Sequence, residues 1–211
     1  MKSLVILISG RGSNMQALIN AQLPCRIAAV ISNKPDAPGL AIAKMHGLET
    51  LALDQRSYTG REEFDAALAQ AIDAHTPDLV VLAGFMRILG EDFVKRYQGK
   101  LINVHPSLLP SFPGLHTHKQ ALKEGVKIHG CTVHFVTAQL DRGPIIIQAA
   151  VQIMPDDTEE TLAARVLEQE HRIYPEAVRW FIEDRLQLSN NGVDVRDAAF
   201  DDFVLFSPGL R

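Results

Sequence analysis

The chain has 211 residues, 46% of them hydrophobic and 22% charged, and 21 Lys and Arg against 25 Asp and Glu give a formal net charge of −4. That length and apolar content exclude a disordered chain and suit one domain with a modest extension. The slight acidity offers no electrostatic reason to bind nucleic acid or an acidic membrane surface, and leaves open a small anionic ligand held by one loop.

Cys25 and Cys131 permit at most one bridge and form no metal-type cluster, so both are expected to be buried thiols. Met1-Lys2-Ser3 runs straight into the apolar run Leu4–Ile8. That run is too short for a signal-peptide core or for a bilayer span of about 20 residues, and a cytoplasmic protein is expected.

The first half repeats one rhythm of β-branched run, turn and helical stretch. Leu4–Ile8 precedes a Gly-rich turn and a helix near Asn14–Ala21. Arg26–Ser32 precedes a Pro/Gly loop and a helix over Gly39–His46. Thr50–Leu53 leads to a helix over Arg61–His75 with Phe64, Leu68 and Ile72 on one stripe, and Leu79–Ala83 to a short helix around Gly90–Tyr97. Apolar runs without alternation suit strands covered on both faces, hence a mostly parallel, Rossmann-like α/β sheet with helices on both sides. Ligands of such sheets bind beyond the carboxyl ends of the strands, where the order switches.

From Leu101 the texture changes. Leu101–Val104 ends in Asn103-Val104-His105-Pro106, and a Pro/Gly/His-rich loop follows to His118. Ile128–Thr137 and Ile145–Val151 read as strands separated by Ala138–Pro144. Asp157-Thr158-Glu159-Glu160 resembles a capping box opening a helix to about Asp184, which Pro175 should bend or break. Asn190-Asn191-Gly192 in the tail signals a turn, as of a small hairpin.

Three features carry chemistry. Ser9-Gly10-Arg11-Gly12-Ser13-Asn14 joins the first strand to the first helix. Two glycines let backbone pass close to a ligand and Ser13 can cap the helix, which favours a phosphate over a plain tight turn only slightly. No Lys follows the second Gly, which excludes a Walker loop. Met15 at the third Gly position and Ser32-Asn33-Lys34 without a ribose-binding acid weaken a dinucleotide fingerprint.

The second feature is a cluster of histidines: His105, His116, His118, His129 and His134, five of the eight in the chain. His116 and His118 have the H-x-H spacing of metal ligands, but no Cys cluster or H-E-x-x-H accompanies them, and capping or hydrogen bonding is the better reading for His116, His118 and His129. His105 lies two positions after Asn103 on the same face of a strand end that Pro106 terminates. Together they can stabilise an oxyanion, and Asp141, if its loop folds over, favours the imidazolium of His105.

The third is Glu170, on the apolar stripe Leu162, Val166, Ile173 and Ala177 of the long helix. A carboxylate facing inward needs a donor, either an internal Arg or a ligand amine or hydroxyl. Glu168 and Gln169 lie off that stripe.

Taken together, Ile8–Asn14, Ala83-Gly84-Phe85-Met86-Arg87-Ile88-Leu89, Asn103–Pro110, Gly114-Leu115-His116-Thr117-His118, Leu140–Pro144 and Gln169-Glu170-His171 resemble the phosphoribosylglycinamide formyltransferase family. The similarity runs from Leu4 to about Arg185. The His-Pro-Ser-Leu-Leu-Pro run is shared by the wider formyltransferase superfamily, and its combination with the other motifs is far more specific.

The resemblance implies a single formyltransferase domain over residues 1–211: a phosphate-binding half over about 1–100, a catalytic and folate half over about 101–185, and a tail over 186–211. It implies transfer of the formyl group of 10-formyltetrahydrofolate to the amine of glycinamide ribonucleotide (GAR) in purine synthesis, without a metal. Asn103, His105 and Asp141 match the catalytic trio. Gly12, Ser13, Asn14, Met15 and Gln16 match the substrate phosphate site, and Glu170 the amine end. Folate contacts fall on Arg61, Met86, Arg87, Ile88, Leu89, Asn103, Thr137, Ala138, Gln139, Leu140 and Asp141. Family members are monomers or dimers. Arg142 stands where the family often has Gly, and Ala138-Gln139 where acidic residues can occur.

Three other readings compete. Methionyl-tRNA formyltransferase should carry a further C-terminal nucleic-acid-binding domain and a basic surface, and about two dozen residues after Arg185 with a negative net charge rank it well behind. Formyltetrahydrofolate deformylase should carry an N-terminal regulatory domain, for which a first strand at about residue 3 is expected to leave no room. A non-catalytic nucleotide-binding module has no use for Asn103, His105 and Asp141 together.

Overall fold

The computed structural model describes residues 1–189, 192–199 and 207. Seven strands, β1 (Ser3–Ile8), β2 (Arg26–Ser32), β3 (Thr50–Ala52), β4 (Leu79–Leu82), β5 (Leu101–His105), β6 (Ile128–Phe135) and β7 (Ile145–Gln152), follow the order β3-β2-β1-β4-β5-β6-β7 in one sheet. Pairing is parallel from β3 through β5, and β7 runs antiparallel to β6. The mostly parallel α/β sheet expected from the unalternated apolar runs is the one found. The order turns outward from β1 in both directions, so a topological switch lies between β1 and β4.

The chain divides into two compact units, residues 1–103 with 135–139, and residues 104–134 with 140 onward. In the first, helices α1 (Ser13–Asn20), α2 (Pro38–Met45), α3 (Arg61–Asp73) and α4 (Glu91–Arg96) alternate with the strands. Val5, Leu7, Ile31, Val80 and Leu82 form one core cluster with Phe64, Leu68 and Ile72 of α3 and Phe93 and Val94 of α4. On the opposite face Leu4, Ile6 and Ile8 are equally buried, and a Cβ at Gly39, in the first turn of α2, would stand 2.6 Å from Ile8 Cδ1. Both faces of β1 are therefore covered, which is why its six residues show no polar alternation. Each such Leu, Ile or Phe contributes about 1.5–3 kcal/mol by leaving water.

In the second unit, α6 (Glu159–Ile182) packs on β7 and α5 (Thr117–Glu124) on α6. Thr158 caps α6 in a reciprocal box whose third partner is Thr161, not the Glu of the usual pattern. Pro175 does not break the helix, which continues unbroken to Ile182. The burial of Ile173, Tyr174, Ala177 and Val178 outweighs the roughly 3 kcal/mol that an internal proline costs. The tail forms the hairpin β8 (Leu186–Ser189) and β9 (Gly192–Val195), with Asn190 and Asn191 outside the described residues.

Smaller expectations are corrected. Gly12, not Ser13, is the N-cap of α1, with φ 76, and no side chain caps the helix. The short helix α5 falls at the end of the segment read as loop. Cys131 is buried but Cys25 is only half-buried, and both are free thiols. Among the described residues no helix is long and apolar enough to cross a membrane.

Candidate active site

In the first unit the site begins where β1 ends. Gly12 occupies the left-handed region, and a Cβ there would stand 3.0 Å from Met15 Cε and 3.2 Å from Gly39 Cα. Only glycine turns the chain this tightly against α2, and Gly39 N–H closes the contact by donating to the Gly10 carbonyl at 3.0 Å. The first intrahelical bond runs from Gln16 N–H to the Gly12 carbonyl at 2.9 Å. No side chain caps the N-terminal end of α1, the positive end of its dipole. Met15 is fully buried, and Asn14 is buried as well.

Across the switch, residues 83–90 form the loop after β4. Met86 and Ile88 expose 64% and 56% of their surface, whereas the half-buried Arg87 places its guanidinium 4.2 Å from the Phe64 ring centroid. Gly90 N–H donates to Asp65 Oδ2 at 2.6 Å. Burial pushes the Asp65 carboxyl above its ordinary range, opposed by that bond and by the charges of Arg87 and Arg61. Arg61 is exposed at the start of α3. In the loop after β6, Thr137 Oγ1 donates to the Gln139 carbonyl at 3.1 Å, and Ala138 and Gln139 are exposed.

Asn103 and His105 lie two apart on β5 and share a strand face. In the second unit, His105 Nε2 is 3.0 Å from the Phe112 carbonyl oxygen and Nδ1 is 3.6 Å from Asp141 Oδ2. A carbonyl has no proton to give, so Nε2 carries the hydrogen and Nδ1 is the nitrogen turned to the acid. The side chains of His105 and Asp141 are each 7% exposed.

Asp141 adopts φ 53, tolerable for Asp, and its Oδ2 also accepts Gly114 N–H at 2.8 Å. His134 Nε2 approaches Asp141 Oδ1 at 4.0 Å. The turn after His105 is held by Thr117 Oγ1 to the Pro106 carbonyl at 2.6 Å, Thr132 Oγ1 to the Ser107 carbonyl at 2.7 Å and Ser107 Oγ to the Ser111 carbonyl at 2.7 Å. These three bonds fasten the turn that follows His105.

Glu170 is 7% exposed on its apolar stripe, as periodicity requires. Its charge, second to burial, pushes the Cys131 thiol up to about 12. Leu140, beside Asp141, exposes 55% of its surface. Among the described residues no three His, Cys, Asp or Glu side chains come together as a metal set. His118 and His129 are hydrogen-bonded to one another at 3.2 Å, and burial lowers both, His129 to about 4. His116 sits at the N-cap of α5, but its side chain makes no cap bond, against the expectation of capping.

The structure thus brings His105 and Asp141 together. It adds partners that the motifs did not reveal, namely the Phe112 carbonyl, Gly114 N–H and His134. The only sequence signal for them was the density of Gly, Pro and His between 105 and 134.

The sheet is that of a mostly parallel α/β protein, and at the end of its fifth strand a His is held between a carbonyl and an acid. The chain belongs to the formyl transferase family, whose profile matches residues 1–178. It is 50% identical over 193 residues to the phosphoribosylglycinamide formyltransferase of Escherichia coli (strain K12), covering 90% of this chain and 91% of that one. A solved glycinamide ribonucleotide transformylase 1 from Symbiobacterium toebii superposes with a TM-score of 0.91 at 48% identity, covering 93% and 95% of the two chains. A formyltetrahydrofolate deformylase from Pseudomonas syringae pv. tomato superposes at 0.86 with 31% identity, covering 93% of this chain and 66% of that one.

Proposed function

We propose that this chain moves the formyl group of 10-formyltetrahydrofolate to the amine of N1-(5-phospho-D-ribosyl)glycinamide, giving the N-formyl product and tetrahydrofolate, in de novo purine biosynthesis. The observation that carries the reading is the His105 ring, fixed at Nε2 by the Phe112 carbonyl and faced at Nδ1 by Asp141. Kinship with enzymes named for this reaction supports it.

The residues present fit a folate. The exposed Met86 and Ile88 offer apolar surface to a planar ring, and the exposed Arg61 offers a cation to a carboxylate. When bound, the donor supplies a formyl carbon on a nitrogen that can leave. The amine nitrogen of the acceptor bonds to that carbon, the bond to the folate nitrogen breaks, and one proton passes from the first nitrogen to the second.

His105 as imidazolium donates Nδ1–H to the oxygen on which negative charge appears, and the Asn103 amide donates beside it. Asp141 holds the charge on His105 and relays the proton. The amides of residues 12–16 hold the substrate phosphate, and Glu170 receives the amine end. Met86–Leu89, Arg61 and Thr137–Asp141 hold the folate. The whole chain acts as one catalytic domain in the cytoplasm, as a monomer or homodimer, on two small molecules and without metal, nucleic acid or membrane.

The test is incubation with 10-formyltetrahydrofolate with and without GAR. Folate turnover only with GAR is expected. Turnover without it makes the chain a deformylase, and none in either case makes it a binding module.

A further inference from the structure

The loop after β4 is fastened from outside by a closed ring of hydrogen bonds. Met86 N–H donates to Ser9 Oγ at 2.7 Å, and the Ser9 hydroxyl donates to Asn33 Oδ1 at 2.6 Å. Asn33 Nδ2 donates to Gln55 Oε1 at 2.8 Å, and Arg87 Nη1 donates to that same oxygen at 3.2 Å. Because Met86 and Arg87 are consecutive, the ring leaves the loop at one residue and returns at the next.

Its direction is unambiguous. The Ser9 hydroxyl gives one bond and takes one, the Asn33 amide does the same through its two ends, and Gln55 Oε1 only accepts. Backbone bonds brace it, Ser9 N–H to the Gly84 carbonyl and Gln55 N–H to the Asn33 carbonyl, each 3.2 Å. Ser9 and Asn33 are 4% and 1% exposed, so their bonds are shielded from water, and leaving one unmade is costly.

Holding a sheet together does not call for such a ring, since apolar side chains do that elsewhere in this unit. What the ring does is set the position of two loops at once. Ser9 immediately precedes Gly10–Gly12, and its hydroxyl grips Met86. Fixing loops to within a fraction of an ångström is what a two-substrate site requires.

We propose that Ser9, Asn33 and Gln55 are positioning residues that hold the loop Met86–Leu89 in register with the phosphate loop, Ser9 serving both. The inference rests on the reading of those loops as folate and phosphate subsites. None of the three is assigned contact with substrate.

Gln55 provides the cleanest test because the ring uses it only as an acceptor and it is half-buried. Gln55→Leu should raise the KM for 10-formyltetrahydrofolate about tenfold, as the loss of two hydrogen bonds implies, with kcat changed less than threefold. Gln55→Glu keeps the acceptor and should stay within about twofold of wild type. A wild-type folate KM in Gln55→Leu, or equal damage in both variants, overturns the proposal.

Amide hydrogen exchange tests the ring without any substrate. Exchange at Met86 should quicken at least tenfold in Ser9→Ala while the amides of β1 and β4 keep their protection. Unchanged exchange at Met86 overturns the ring even if transfer activity is present. Absent transfer activity in the wild type, with Met86 exchange quickened in the variant, overturns only the assignment of the subsites.

Discussion

His105 and Asp141 face one another at 3.6 Å, Nδ1 to Oδ2, while the far nitrogen of the same ring is 3.0 Å from the Phe112 carbonyl oxygen. The first distance is too long for a hydrogen bond and within the reach of an ion pair. The second fixes which nitrogen keeps its proton in every state. The ring is thus held from both sides before any ligand arrives.

Removal of any member of the trio should be costly. His105→Ala, Asn103→Ala and Asp141→Ala are each expected to lower kcat by about 10²–10³ or more, the usual cost of one oxyanion donor, while remaining folded. Steady-state formyl transfer, with circular dichroism melts as a control on folding, measures this. Any variant that folds and transfers at near wild-type rate drops out of the mechanism.

At the proposed phosphate loop, Ser13→Asp places a negative charge on the first residue of α1, at the positive end of that helix. The KM for GAR should rise at least tenfold and that for folate little. Calorimetric titration of GAR checks the first directly, and unchanged affinity removes the loop from the site.

Gly130 should not tolerate a side chain. A Cβ there would lie 2.0 Å from the Ala149 carbonyl oxygen, a backbone atom, and 2.9 Å from Leu108 Cδ2. Gly130→Ala therefore forces β6 from β7, and a loss of about 2–3 kcal/mol is expected in urea unfolding. A loss below about 0.5 kcal/mol would mean that the strands part at little cost.

Stability should fall with pH in two stages. Burial and the nearby charge of His118 hold His129 at about 4 against an ordinary 6.5, so the unfolded chain takes up a proton between those values that the folded one refuses. The contribution is complete above 6.5 and is lost as pH falls toward 4. Hydrogen bonds from Arg165, above all, hold the Asp157 carboxyl well below its ordinary 3.8, so its contribution is lost only as pH drops below about 4. Melting temperature against pH should show both slopes, with His129→Gln flattening the upper and Asp157→Asn the lower.

Much of the site lay open in the amino-acid order. Asn103 and His105 are two residues apart, so strand geometry alone aligns them. Glu170 interrupts a helical stripe whose other members are apolar, so helical periodicity alone turns it inward. Ser13 has the chemistry of a cap for α1, whereas the close approach of Gly39 demands a glycine one position earlier. Pro175 carries a local cost along the helix that tertiary burial outweighs.

The sequence by itself determined the parallel sheet, the loops at its strand ends and the residue types that face one another there, because those follow from periods of two and 3.6 residues. Only the tertiary structure decided which groups meet across long separations: Ser9 with Asn33, 24 residues away, and with Met86, 77 away. It also decided that a carbonyl at Phe112, invisible in any side-chain pattern, sets the proton of His105. The reason is physical. Period and propensity act through neighbours along the chain, whereas the orientation of a buried donor is settled by whichever acceptor the packed fold brings to it.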